Sequence, residues 1–297
     1  MKLKLFTFIC LSLFWGCSKT QQKFEKLDMT NSIKNKNEMR KVYFLRFNFK
    51  ANAEIYFNGI LLQKLNENGI SGGNYILNPY IEKSGLQNVS IKIDKFLGKT
   101  LTQGYLQEIF IEIYYSENYN EENEDFPLEL LHKLTLPKYP TPQNSILNSW
   151  EFEADVNYKI KDVLSNAIDL TKENPDSLLK DVLSEYKKNY EIINSGNTNK
   201  YSDLIKHRIE RETVSMYYTQ REKDAYTSKL LSRIKAATGI MQPIIDYHLK
   251  IHPNKKIVTL VNSEDSSILI SKNENGGTNT FALQLYRDKA TGELKVY

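Results

Sequence analysis

The chain has 297 residues, 40% hydrophobic and 26% charged, with 40 basic against 36 acidic side chains and a net charge of +4. That composition supports packed cores rather than wholesale disorder, over a length that corresponds to about two domains. The near-balance of charge argues against a nucleic-acid partner, which favours a concentrated basic face, and 2 Cys are too few for a disulfide framework.

At the start, Lys2 and Lys4 form a short basic head to an apolar run that ends at Trp15, and Gly16-Cys17 is followed at once by polar residues. A basic head, a short apolar stretch and a small residue before the cut mark an export signal. The run is too short to span a bilayer, which takes about 20 apolar residues. The Gly16-Cys17 junction resembles the lipobox of bacterial lipoproteins, although Phe14 stands where that family usually has Leu. The resemblance implies cleavage between Gly16 and Cys17, a lipid on the Cys17 sulfur, and anchorage to a membrane of the bacterial cell envelope. Ser18-Lys19-Thr20-Gln21-Gln22 lacks the acidic residues that follow the Cys of some surface-exported lipoproteins, so the periplasmic face is expected. Loss of Lys2, Lys4 and Cys10 with the leader leaves 38 basic residues and no second thiol for a disulfide.

Residues 17–40 are polar and aperiodic, and read as a flexible tether; about 20 such residues reach roughly 25 Å. Residues 41–160 read as all-β. Tyr43, Leu45, Phe47 and Phe49 alternate with Phe44, Arg46, Asn48 and Lys50, the period of a half-buried strand. Asn58-Gly59 between apolar runs predicts a two-residue hairpin, because the type I′ turn needs positive φ at both positions. Val89, Ile91 and Ile93 alternate again, residues 106–115 read as one further strand, and closing strands are expected at 128–136 and 150–158. Many short strands at short spacing predict a sandwich or barrel. The order strand, Asn58-Gly59, strand, loop, Ser84-Gly85, strand over residues 55–93 resembles galactose-binding-like jelly rolls, and implies a sandwich without assigning sugar contacts. The acidic stretch 116–126 lacks the spacing and the glycine of a Ca²⁺ loop and reads as a solvated loop. Tyr75, Tyr80, Tyr114, Tyr115 and Tyr119 read as half-buried sheet residues.

Residues 161–174 read as a linker, and 175–297 as an α+β domain, helices first and then an antiparallel sheet. Asn174 and Pro175 make an N-cap and first helical residue. Leu178, Val182, Leu183, Tyr186, Tyr190 and Ile193 form one apolar face, and Gly196 ends it. Further helices are expected at 200–212, 220–237 and briefly at 240–245. Strands are expected at 256–261, 267–271, 280–286 and 294–297. That order of elements resembles cone-shaped NTF2-like domains and implies a pocket within the cone.

Candidate chemistry is sparse. His248 and His252 stand four apart but lack a third ligand, and Pro253 follows directly. His207 and Glu210 lie on a stretch rich in Lys206, Arg208, Arg211 and Glu212, which reads as a solvated ion-pair face. There is no Gly-x-Ser-x-Gly elbow, no phosphate-cradling loop and no dinucleotide fingerprint. The expectation is therefore a multidomain envelope lipoprotein with no enzyme activity, metal or cofactor. It would bind a protein partner, as an immunity-type protein does. A glycan or small molecule bound in the C-terminal domain, or an enzyme there, is the alternative.

Overall fold

The computed structural model describes residues 40–49, 51–65, 71–95, 97–117, 119 and 126–297. Gly16 and Cys17, the tether up to residue 39 and most of the acidic stretch lie outside the described residues. Eight strands come first: β1 (Val42–Phe49), β2 (Asn52–Phe57), β3 (Ile60–Leu65), β4 (Ser71–Ile76), β5 (Gly85–Asp94), β6 (Phe110–Ser116), β7 (Glu129–Lys133) and β8 (Ser145–Ala154). They form two antiparallel sheets, ordered β4-β1-β6-β7 and β3-β2-β5-β8. The inward residues of both sheets share one core: Tyr43, Leu45 and Phe47 of β1 meet Ile55 and Phe57 of β2, Val89 and Ile91 of β5, and Ile113 of β6. Period-two alternation puts those residues on one face of each strand, and the two faces close on each other. Asn58 and Gly59 both have positive φ, 49° and 73°, as the hairpin turn requires. One expectation fails here. Residues 106–115 are not one strand: a short helix α1 (Gln103–Gln107) precedes β6, started by the Thr102 side chain, which accepts a hydrogen bond from Tyr105 N. A one-turn helix is too short to show a helical period.

A connector follows, carrying single 3-10 turns at Leu164–Asn166 and Leu170–Lys172. Helix α2 (Pro175–Asn194) starts as expected: Asn174 Oδ1 accepts from Asp176 N and Ser177 N, with Pro175 in the first turn. It buries Leu178, Val182, Tyr186 and Ile193. The single helix expected at 200–212 is two, α3 (Thr198–Leu204) and α4 (Lys206–Ser215), broken at the buried Ile205. Helix α5 (Gln220–Ala236) opens with a capping box of Thr219 and Glu222. No helix forms at 240–245. Gln242 N instead donates to Ile270 O, and Lys272 N donates to Ile240 O.

Six short strands close the chain: β9 (His248–Ile251), β10 (Val258–Val261), β11 (Ile270–Lys272), β12 (Thr278–Thr280), β13 (Leu285–Arg287) and β14 (Leu294–Val296). The sheet order is β14-β13-β10-β9, with β11-β12 as a separate hairpin, all antiparallel. Between β10 and β13 only Val258 and Leu285 are in register. The buried Tyr186 of α2 repairs that thin seam. Its hydroxyl donates to Leu283 O at 2.6 Å and accepts from Leu260 N at 2.9 Å. No helix among the described residues is long and apolar enough to cross a membrane.

Candidate functional site

The described residues from 40 onward lie in one compact unit, and its most chemically dense region is the junction between the sandwich and the later elements. Three devices build it. A small apolar cluster joins Ile60 of β3 to Val163 and Ala167 of the connector and to Ile257, Tyr286 and Tyr297. Asn78, fully buried, accepts from Tyr43 N through Oδ1 and donates through Nδ2 to Lys41 O and Ser215 O, so one amide ties β1 to the end of α4. An ionic chain covers the far side: Lys250 Nζ lies 2.5 Å from Glu54 Oε1 and 3.3 Å from Asp265 Oδ2, Lys64 Nζ lies 2.6 Å from Asp265 Oδ2, and His248 Nε2 lies 3.0 Å from Asp265 Oδ1. Burial by itself would raise the Asp265 carboxyl, but the Lys64 hydrogen bond and the Lys250 charge outweigh it and hold it down to about 2. Glu54 moves the same way, lowered against its own burial by hydrogen bonds from Lys250 and Tyr56.

The histidines take structural places. His248 and His252 belong to β9 and the residue after it, where four residues of extended chain span about 13 Å, too far to share a metal. His252 is buried and accepts from Leu61 N through Nδ1. Desolvation, then the Lys250 charge, holds its imidazole down to about 4, so it is neutral. Among the described residues no group of three or more His, Cys, Asp or Glu is placed to hold a metal. The face around His207 departs from expectation. Arg208 does pair with Glu212 at 2.9 Å, but Arg211 is only 4% exposed and lies 3.9 Å over the ring of Tyr297. Its Nε and Nη1 have no hydrogen-bond partner. Nothing in a charge pattern announces that burial, because Tyr297 lies 86 positions away.

Two hollows open on this junction. A trough of about 760 Å³ runs between the β1 and β6 ends and helices α4 and α5. Tyr119, Tyr217, Tyr218 and Tyr226 line it, with Arg40, Arg208, Lys229 and Arg233 outnumbering Glu117 and Glu222. Tyr217 sits at φ 56° just past α4, in a turn where Tyr218 N donates to Thr213 O and Tyr217 N to Val214 O. Glycine is favoured at that position. Tyrosine holds it here by packing on Tyr158 with ring centroids 5.3 Å apart and donating from its hydroxyl to Lys41 O. On another side a cavity of about 370 Å³ lies between Glu82 and Leu86 of the sandwich, Asp162 of the connector, and Asn254 and Lys256 of the β9–β10 loop. Desolvation, then the Asp162 charge and a hydrogen bond with Asp162, pushes the Glu82 carboxyl up to about 7.

Of the tyrosines singled out in the sequence, Tyr75, Tyr80 and Tyr115 pack half-buried against the sandwich core, and Tyr119 lies edge-on to Phe44 and Phe126. Tyr80 lines the smaller cavity and Tyr119 the trough. No family model matches the chain, and no curated protein or solved structure matches it either.

Proposed function

We propose that this chain is a lipid-anchored envelope protein that holds a protein partner without transforming it, in the manner of an immunity-type protein. The supporting observation is the trough. It is concave, open, and rich in tyrosine and arginine, the residue types that concentrate binding energy at protein interfaces. Its basic excess favours an acidic protrusion on the partner. Cleavage at Gly16–Cys17 and a lipid on Cys17 belong to the same proposal and supply the tether that raises local concentration at the membrane. Likeness to a galactose-binding-like jelly roll and to an NTF2-like cone adds no ligand to this reading. A pocket inside a C-terminal cone gains no support, since the space between α2 and its sheet is filled by Tyr186, Val182 and Leu260.

The test is capture from envelope extract with the soluble Ser18–Tyr297 form, beside a Tyr218→Ala/Lys229→Glu variant. One stoichiometric protein retained by the parent and lost by the equally folded variant supports the proposal. Equal recovery with both, or none with either, refutes it. Separately, Cys17→Ser abolishes fatty-acid labelling and releases the chain from membranes; unchanged labelling refutes the anchor.

A further inference from the structure

Of the trough's four cations, Arg208 is the least exposed and the most firmly held. Arg208 and Glu212 are one turn apart on α4, and Arg208 Nε donates to Glu212 Oε1 at 2.9 Å. The other carboxylate oxygen accepts from the Tyr226 hydroxyl of α5. Both oxygens of Glu212 are therefore taken, and the guanidinium is gripped at Nε alone. Its Nη1 and Nη2, which carry four N–H donors, have no hydrogen-bond partner among the described residues. They keep access to solvent, unlike Nε and Nη1 of Arg211, which are buried. The Arg208 side chain stays 26% exposed and lines the trough. The carboxylate of Glu222 is engaged with its own neighbours, accepting from Thr219 N at 2.6 Å and Thr219 Oγ1 at 2.7 Å. Lys229 and Arg233 follow Tyr226 at helical spacing along α5 and line the same trough. Among the described residues, Arg40, Arg208, Lys229 and Arg233 face Glu117, Glu212 and Glu222, which leaves one positive charge. Tyr218 and Tyr226, with ring centroids 5.9 Å apart, join Met216 and Leu230 in the apolar part of the lining.

We propose that the open Nη1–Nη2 edge of Arg208 is the seat for one Asp or Glu side chain of the partner, flanked on the partner by residues that rest on the tyrosines. This rests on the reading of the trough as the partner's docking surface, and adds which chemical group of the partner it takes. A planar carboxylate accepts two parallel hydrogen bonds from such an edge. Its single negative charge matches the single positive charge left in the trough. A phosphate would bring nearly two negative charges beside three carboxylates. Glu212 and Tyr226 are positioning residues. They fix the guanidinium from behind, so its rotamer freedom is spent before the partner arrives. Lys229, exposed on α5, steers the approach. At about 760 Å³ the trough lies in the usual range of binding clefts, about 300–1,000 Å³.

Calorimetric titration of the full-length chain in nonionic detergent micelles decides it. The probe is the N-acetylated amide peptide Ser-Tyr-Glu-Tyr-Ser, with Ser-Tyr-Gln-Tyr-Ser as its neutral counterpart and inorganic phosphate as competitor. The Glu peptide is expected to bind at least about tenfold more tightly than the Gln peptide, and phosphate to displace it no better than chloride at equal ionic strength. Arg208→Lys keeps the charge and removes the fork, and should lose at least about tenfold in affinity. Tyr226→Phe should weaken binding about threefold in the parent and not at all in the Arg208→Lys background, because it acts only through the guanidinium. A readout without any variant is modification by phenylglyoxal, mapped by mass spectrometry: Arg208 reacts, Arg211 does not, and the Glu peptide but not the Gln peptide protects Arg208. Equal binding of the two peptides, no protection of Arg208, or displacement by phosphate in preference to chloride overturns the proposal. Capture from envelope extract with Arg208→Lys separates it from the reading beneath it. A partner lost with Tyr218→Ala/Lys229→Glu but fully retained by Arg208→Lys overturns the carboxylate seat and leaves the docking surface standing. No captured partner, with Arg208 still protected by the Glu peptide, overturns the protein-partner reading and supports the seat.

Discussion

The sandwich and the elements after it reach order by different routes. In the sandwich, β5 and β8 pair along ten consecutive positions, from Gly85 with Ala154 to Asp94 with Ser145. Strands of that length carry their own register, because a slip of one residue would turn every apolar side chain outward. In the later sheet, strands are three or four residues long, and β10 meets β13 at one registered pair. Side chains supply what the ladder lacks there, Tyr186 above all. A sheet can thus be specified from within or from the helix that lies on it. The second kind depends on single buried polar groups.

That contrast can be broken at its weakest points. The largest effect is expected at the seam that joins the two regions: Asn78→Ala strands Tyr43 N, leaves Ser215 O without this donor and leaves Lys41 O to the Tyr217 hydroxyl, and should cost about 3 kcal/mol. Chemical denaturation measures it, and a loss under about 1 kcal/mol would show that water replaces the amide. Next comes Tyr186→Phe, which keeps the ring and removes the bridge, at about 1–3 kcal/mol. Hydrogen exchange should accelerate at Leu260 and through β13 while β5 and β8 stay protected; uniform acceleration would mean the two regions open only together.

The smallest effect is a balance of two titrations. Buried neutral His252, held down to about 4, favours the unfolded chain's protonation below about 6.5, so its share of stability is lost as pH falls through that window. Glu82, raised to about 7, binds its proton more tightly when folded, so its share is lost as pH rises from about 4.5 toward 7. The two slopes oppose, and the melting temperature should be nearly flat between them. Glu82→Gln removes one side, and the melting temperature should then rise with pH over the same range. A flat profile in the variant would show that His252 does not titrate on unfolding. Below that window Asp265 takes over, and its stabilisation disappears as pH falls through about 4 toward 2.

Local patterns foretold local structure. The alternation of Tyr43, Leu45 and Phe47, the Asn58-Gly59 turn and the Asn174-Pro175 cap are each set by neighbours within a few residues, and each is found. Helix α1 escaped because one turn has no period to read. The break at Ile205 escaped because burial of that side chain in the core of the later elements overrides the local helical pattern. The strand β9 escaped because His248, Leu249, Lys250 and Ile251 have too little length to separate from a helix end. The candidate sites were less legible. Glu54 and Lys250 are 196 positions apart, and Glu82 and Asp162 are 80 apart. Neither pair has a local signature, since its chemistry exists only once two distant segments are packed.

Such packing also binds the chain's future at Gly59. Its φ of 73° already favours glycine, and a Cβ built there would lie 2.9 Å from Asn254 N and Cβ. The tip of the β2–β3 hairpin and the loop after β9 are therefore in backbone contact, sealed by a bond from Asn254 N to Gly59 O. Neither can gain bulk alone. In a lineage of such chains the two segments should change length and side chains in concert, each substitution at one tip selecting its complement at the other, so that their histories are read as a pair.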